Sequence, residues 1–231
     1  MLDDLRLQVC EANKALTAHG LVTLTFGNVS GIDRERGIVA IKPSGLPYEA
    51  LTPNDIVLLD LDGETVAGTL RPSSDAATHV ILYREFPAIG GVVHAHSTYA
   101  TAFAQAQRAL PCLGTTHADH FRGEVPVTRP LIADETAQDY EANTGRVIVE
   151  RFRGMDPMQM PAVLVANHGP FTWGSTVATA LENAVALEAV AKTAYATLAL
   201  APETPPVSGH LLDKHFQRKH GSTAYYGQEK E

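Results

Sequence analysis

Apolar runs of strand length alternate with runs of helical period along the whole chain. That alternation confines the fold to α/β architectures in which helices cover a sheet. Leu2, Leu5, Val9, Ala12 and Leu16 recur at helical spacing over 2–18, and Gly20 ends the run. Further helices are expected from Ser73 or Ser74, as the cap, to Arg84, and over 97–107, 136–149, 175–200 and 211–219. Strands are expected over 21–25, 38–41, 56–61, 89–96 and 162–166. Gly27-Asn28, Pro43-Ser44-Gly45 and Asp62-Gly63 read as turns. These patterns give a sandwich around one sheet and leave open whether its strands are parallel. No repeat, low-complexity tract or linker divides the chain, so 1–231 is expected to be a single domain.

Charge narrows the function classes. The formal net charge is -8 and no basic run occurs, which argues against nucleic-acid binding. An anion site must therefore draw its positive potential from a few local groups. Cys10 and Cys112 form no C-x-x-C pair, and residues 1–6 are too polar for a signal peptide. Both features point to a reduced, cytoplasmic setting. The longest uncharged stretch, 157–181, is broken by Asn167, His168, Gly169 and Pro170 and does not read as a membrane span.

Ten histidines, several clustered, concentrate the chemistry. His94-Ala95-His96 closes an apolar strand, and residues two apart on a strand face the same way. His168 stands just past another strand, in Asn167-His168-Gly169-Pro170. Asp75 lies in the first turn of the Ser-capped helix. Three histidines and a carboxylate suit zinc or another divalent transition ion. His79, four residues after Asp75, is a rival ligand, as are His117 and His120; spacing does not choose among them.

Three small-residue turns carry anion-binding chemistry. They are Gly27-Asn28-Val29-Ser30, Lys42-Pro43-Ser44-Gly45 and Pro72-Ser73-Ser74-Asp75. No nucleotide or dinucleotide fingerprint occurs. Asp119, beside His117 and His120, is a candidate base or a group that fixes a tautomer. The tail tyrosines Tyr225 and Tyr226, and His215 on the last helix, are equally readable as surface residues. Phe171 and Trp173 are expected in the core.

Taken in order, these motifs resemble one family. Thr25-Phe26-Gly27-Asn28-Val29-Ser30, Ile41-Lys42-Pro43-Ser44-Gly45, Arg71-Pro72-Ser73-Ser74-Asp75 and Val93-His94-Ala95-His96-Ser97 open the series. Gly114-Thr115-Thr116-His117-Ala118-Asp119, Asn167-His168-Gly169-Pro170-Phe171, Leu211-Leu212-Asp213-Lys214-His215 and Ala224-Tyr225-Tyr226-Gly227-Gln228 complete it. Together they are similar to the L-ribulose-5-phosphate 4-epimerases of the class II aldolase/epimerase superfamily, from Leu2 to Gln228.

The resemblance implies a three-layer α/β/α sandwich around a largely antiparallel central sheet. It implies a homotetramer with active sites between subunits, acting in pentose catabolism such as that of L-arabinose. The metal, zinc with manganese or cobalt as alternatives, would sit on Asp75, His94, His96 and His168. Substrate and phosphate contacts fall on Gly27, Asn28, Lys42, Ser44, Gly45, Ser73 and Ser74. Asp119 and Tyr226 match the acid/base pair, and Thr115, Glu141 and His215 match supporting positions, some supplied across a subunit boundary. Phe26, His120 and Ala166-Asn167 depart from the common pattern.

The implied reaction explains why such residues are needed. The hydrogen on carbon-4 of L-ribulose 5-phosphate is β to the ketone, so direct enolisation cannot invert that centre. Breaking and remaking the bond to carbon-3 can. That route calls for a metal, a phosphate clamp and a proton-transfer group on each face of the aldehyde. The alternative reading is a class II sugar-phosphate aldolase of the fuculose or rhamnulose 1-phosphate type. Those enzymes typically carry Glu where this chain has Asp75. A Schiff-base aldolase on Lys42 and a non-catalytic module like the adducin head are further alternatives.

Overall fold

The structure, a computed structural model, describes residues 2–221 and 224–225. Seven strands form one sheet in the order β4-β3-β2-β1-β5-β7-β6. They are β1 (Gly27–Asp33), β2 (Ile38–Ile41), β3 (Val57–Leu59), β4 (Thr65–Ala67), β5 (Gly91–Ala95), β6 (Ala162–Leu164) and β7 (Pro170–Gly174). Every pairing between these strands is antiparallel, as the family likeness implies.

The helices are α1 (Leu2–Ala18), α2 (Ala76–Glu85), α3 (Thr98–Gln105), α4 (Thr115–Ala118), α5 (Ala133–Ala137), α6 (Tyr140–Arg151), α7 (Val177–Leu200) and α8 (Gly209–His220). The side chains of the central strands divide between two cores with period two. Val39, Ile41, Val57, Leu59 and Val92 join one core, with Leu82 of α2, Phe103 of α3 and Ile148 of α6. Ala40, Leu58 and Val93 join the other, with Val9 and Leu16 of α1. Helix α7 contributes Ala180 to the second core and Val190 to the first. The result is the expected α/β/α layering. Phe171 and Trp173 are fully buried. Among the described residues no helix is long and apolar enough to cross a membrane.

Polar pins fix the layers. Asn13 of α1 donates to the carbonyls of Val9 and Val29 and accepts from Val29 N at 2.9 Å, which ties the helix to β1. Gly20 ends that stretch with φ of +66°.

Several local expectations need correction. Residues 21–25 form no strand; they are loop, and Leu24 takes φ of +53°. Gly27-Asn28 is the first rung of β1 rather than a turn. The helix expected over 136–149 is two helices, because Asp139 at φ +50° reverses the backbone between them. Asn143 secures that break by donating to the carbonyls of Glu135 and Gln138. The cap of α2 is Asp75, not a serine. Strands β1, β4 and β7 had no counterpart in the sequence pattern.

Candidate active site

The site forms where β1 meets β5. Asn28 pairs with His94 and Gly27 with Ala95, so the first rungs of one strand lie against the last rungs of the other. Gly27 has φ of +126°, and an added Cβ would stand 2.9 Å from the His94 carbonyl. Only glycine admits that approach.

Three imidazoles converge from two strand ends. His94 is the penultimate residue of β5, with its ring stacked on Phe171 at 4.1 Å. Its Nδ1 lies 2.9 Å from the Pro170 carbonyl. Donation there puts the proton on Nδ1 and leaves Nε2 as a lone pair. That Nε2 lies 3.1 Å from Nε2 of His96. His168 is presented by the tight turn after β6, in which Val165 N bonds to the Gly169 carbonyl and Asn167 takes φ of +62°. Tyr140 at the head of α6 reaches its Nδ1 at 3.3 Å.

Each of the three offers a ring nitrogen within 4.8 Å of the others. Burial pushes all three pKa values down, His168 to about 3, so the rings are neutral. Neutral imidazoles with converging lone pairs fit a divalent transition ion. The separation of the His94 and His96 nitrogens is close to the ~3.3 Å edge expected for tetrahedral ligands at ~2.05 Å from zinc.

Asp75 lines the same cavity but stands outside that three-nitrogen set. Its Oδ2 accepts from Asn28 Nδ2 at 2.6 Å. Burial opposes ionisation of Asp75; the nearby imidazoles and the Asn28 amide outweigh it and hold the carboxyl below its usual value. The rival ligands are engaged elsewhere. His79 bonds through Nδ1 to Ser30 Oγ at 2.7 Å, His117 through Nε2 to the Gly123 carbonyl at 2.7 Å, and His120 faces Lys219.

The three segments read as carrying anion-binding chemistry line the same cavity, of about 370 Å³. Gly27 and Asn28 come from β1, Lys42, Ser44 and Gly45 from the end of β2, and Ser73 and Ser74 from the approach to α2. The last two turns are stitched together: Ser44 N bonds to the Arg71 carbonyl and Ser73 N to the Lys42 carbonyl. Gly45 takes φ of +67°. Glu141 lines the cavity too, with Tyr140, Thr25 and Phe26. Sequence reasoning missed Tyr140, which stands in no pattern that marks a site; Thr25 opens one of the quoted motifs but was assigned no role.

Asp119, Thr115 and His215 do not line this cavity. Asp119 follows α4 and faces α8, where Oδ1 accepts from Arg218 Nε at 2.8 Å and lies 3.1 Å from His215 Nδ1. Burial favours the neutral acid, but Arg218 and His215 together outweigh it and lower the Asp119 pKa. Tyr226 lies outside the described residues.

Residues 7–195 match the family described as Class II Aldolase and Adducin N-terminal domain. The chain belongs to that family. Within the class II aldolase family it is 52% identical to the L-ribulose-5-phosphate 4-epimerase UlaF of Salmonella paratyphi C (strain RKS4594), over 98% of this chain and 100% of the relative. The relative of the same name from Salmonella typhi matches equally over the same spans. A solved class II aldolase fold, L-fuculose 1-phosphate aldolase, superposes with a TM-score of 0.80 at 26% identity, covering 93% of this chain and 95% of that one.

Proposed function

We infer that this chain is an L-ribulose-5-phosphate 4-epimerase, converting L-ribulose 5-phosphate to D-xylulose 5-phosphate by cleaving and remaking the carbon-3–carbon-4 bond. What carries the reading is a juxtaposition: three neutral imidazoles and three small-residue segments suited to an anion share one cavity. The full-length likeness to epimerases of that name selects this reaction from the chemistry such a cavity permits. The chain is taken to act as one domain, in the cytoplasm, where its two buried thiols stay reduced.

His94, His96 and His168, with Asp75 turning inward, would hold zinc, or manganese or cobalt in its place. That ion supplies Lewis acidity, which draws off the negative charge left on the ketone fragment when the bond breaks. Lys42, Ser44, Ser73 and Ser74, with the amides of Gly27 and Gly45, bind the phosphate. By retaining the phosphorylated aldehyde they favour re-addition over release. Asn28 holds the Asp75 carboxylate in place. Glu141 lies at the cavity wall, within reach of substrate hydroxyls.

Asp119 and Tyr226 exchange protons with the carbon-4 oxygen from opposite faces. Asp119 lies outside the cavity of its own chain, as do Thr115 and His215. We therefore propose a homotetramer in which these residues complete the site of a neighbouring subunit. Co-expression of Asp119→Asn with His96→Asn tests this, because mixed assemblies contain sites with both wild-type residues. Activity well above either parent is expected; no gain over the parents would refute shared sites.

The function itself is tested by following D-xylulose 5-phosphate formation with the metal removed and restored. Turnover should vanish on chelation and return with zinc. Undiminished epimerisation after chelation would sink the proposal. The similarity to L-fuculose 1-phosphate aldolase favours a second reading, sugar-phosphate cleavage. Release of free aldehyde from L-fuculose or L-rhamnulose 1-phosphate, without epimerisation of ribulose 5-phosphate, would favour that reading.

A further inference from the structure

Lys42 is an unusual residue to bury. It is 2% exposed, and no carboxylate among the described residues pairs with it. Its Nζ donates to the Pro43 carbonyl at 3.2 Å. Taking an ammonium out of water without a counter-charge is costly, and burial lowers its pKa accordingly.

One aromatic face offsets part of that cost. Nζ of Lys42 lies 4.9 Å from the ring centroid of Tyr48, inside the range of a cation–π contact. Tyr48 is 3% exposed and sits behind the cavity wall, among the residues of the α1-side core. Its hydroxyl donates to the Gly27 carbonyl at 2.8 Å. The same side chain thus touches two of the three candidate anion-binding segments: Lys42 through its face and Gly27 through its tip. It does not line the cavity.

We propose that Tyr48 is a positioning residue for phosphate binding, its ring holding the Lys42 ammonium at the cavity wall and its hydroxyl fixing Gly27 at the start of β1 at a set distance from it. The inference rests on the reading of Lys42 as a phosphate contact. Tyr48 makes no contact with substrate. It keeps two arms of the clamp at their working separation before the anion arrives, so ligand binding does not have to order them.

The test measures inorganic phosphate binding and the KM for L-ribulose 5-phosphate, with melting temperature and metal content as controls. Tyr48→Leu removes the face and the hydroxyl and should weaken phosphate binding by about tenfold. Tyr48→Phe keeps the face and should weaken it less. Phenylalanines carrying one, two and three fluorines at position 48 should weaken it stepwise at nearly constant shape, because fluorine drains the ring's negative face. The loss should fall on KM more than on kcat. Lys42→Met should remove phosphate binding whatever stands at position 48.

A flat fluorine series beside a large Lys42→Met effect would overturn the role of Tyr48 and leave the phosphate reading standing. Unchanged phosphate affinity in Lys42→Met would overturn both. If Tyr48→Leu does not fold, the fluorine series decides alone.

Discussion

Gly27 carries the tightest constraint of any single position in the site. An added Cβ would stand 2.8 Å from Val22 Cγ1 and 2.9 Å from the His94 carbonyl, at a φ of +126°. Gly27→Ala should therefore cost about 1–3 kcal/mol of stability and loosen the Asn28–Asp75 contact, measured by urea titration and zinc affinity. At the other extreme of burial, His79 is fully enclosed, and burial lowers its pKa to about 3 from an ordinary 6.5. Between those values the unfolded chain binds a proton that the folded chain excludes, so stability falls as pH falls through that window. The slope is about 1.4 kcal/mol per pH unit for each such proton. His79→Gln in the metal-free protein should show a shallower decline of unfolding free energy below pH 6.5, whatever its absolute stability; an unchanged slope would mean His79 does not carry this effect.

Among the elements, α7 is seated with the least tolerance. A Cβ on Gly174 at the end of β7 would stand 2.7 Å from Ala180 N. A Cβ on Gly91 at the start of β5 would stand 2.6 Å from Val177 Cα. Gly174→Ala should lower the unfolding free energy by about 2 kcal/mol, because backbone rather than a mobile side chain must yield. Thr176 caps the same helix, accepting from Thr179 N at 3.1 Å, and Thr176→Ala should cost about 1 kcal/mol in a thermal melt.

How readable each element was follows from the same physics. The H-x-H ending of β5 was legible because alternation alone places His94 and His96 on one side. Strand β7 was not, because Pro170 and Gly174 at its ends read as breakers, although proline is tolerated at a strand's first residue. Gly27-Asn28 misled for a related reason: glycine there serves close strand approach, which local sequence cannot distinguish from a turn. The split of 136–149 at Asp139 depends on Asn143 reaching back to two carbonyls, a contact that helical period does not encode. The separation of Asp119 from the histidines was equally invisible, since only the fold places α4 against α8.

Across the whole molecule, an ion held by the proposed ligands would join parts that are distant in sequence. His94 belongs to the central strand β5 and His96 to the loop just after it, His168 to the turn before β7, and Asp75 to the cap of α2. Binding confined to the folded state adds stability by mass action. Zinc at about one hundred times its dissociation constant should raise the unfolding free energy by about 2.7 kcal/mol, read by denaturant titration of chelated and reloaded protein. His168→Asn should abolish most of that increment, since its turn would no longer be tied to β5.

The ladder between β1 and β5 has a role beyond joining two halves of a sheet. On the proposed reading, its β1 side adjoins the segments that would receive the sugar's charged end, and its β5 side the rings that would hold the ion. Successive rungs step about 3.3 Å along the strands, with alternate side chains on opposite faces. A slip of one residue would turn both side chains to the opposite face of the sheet, so the Asn28–His94 register decides whether this cavity has an amide and an imidazole in its wall at all.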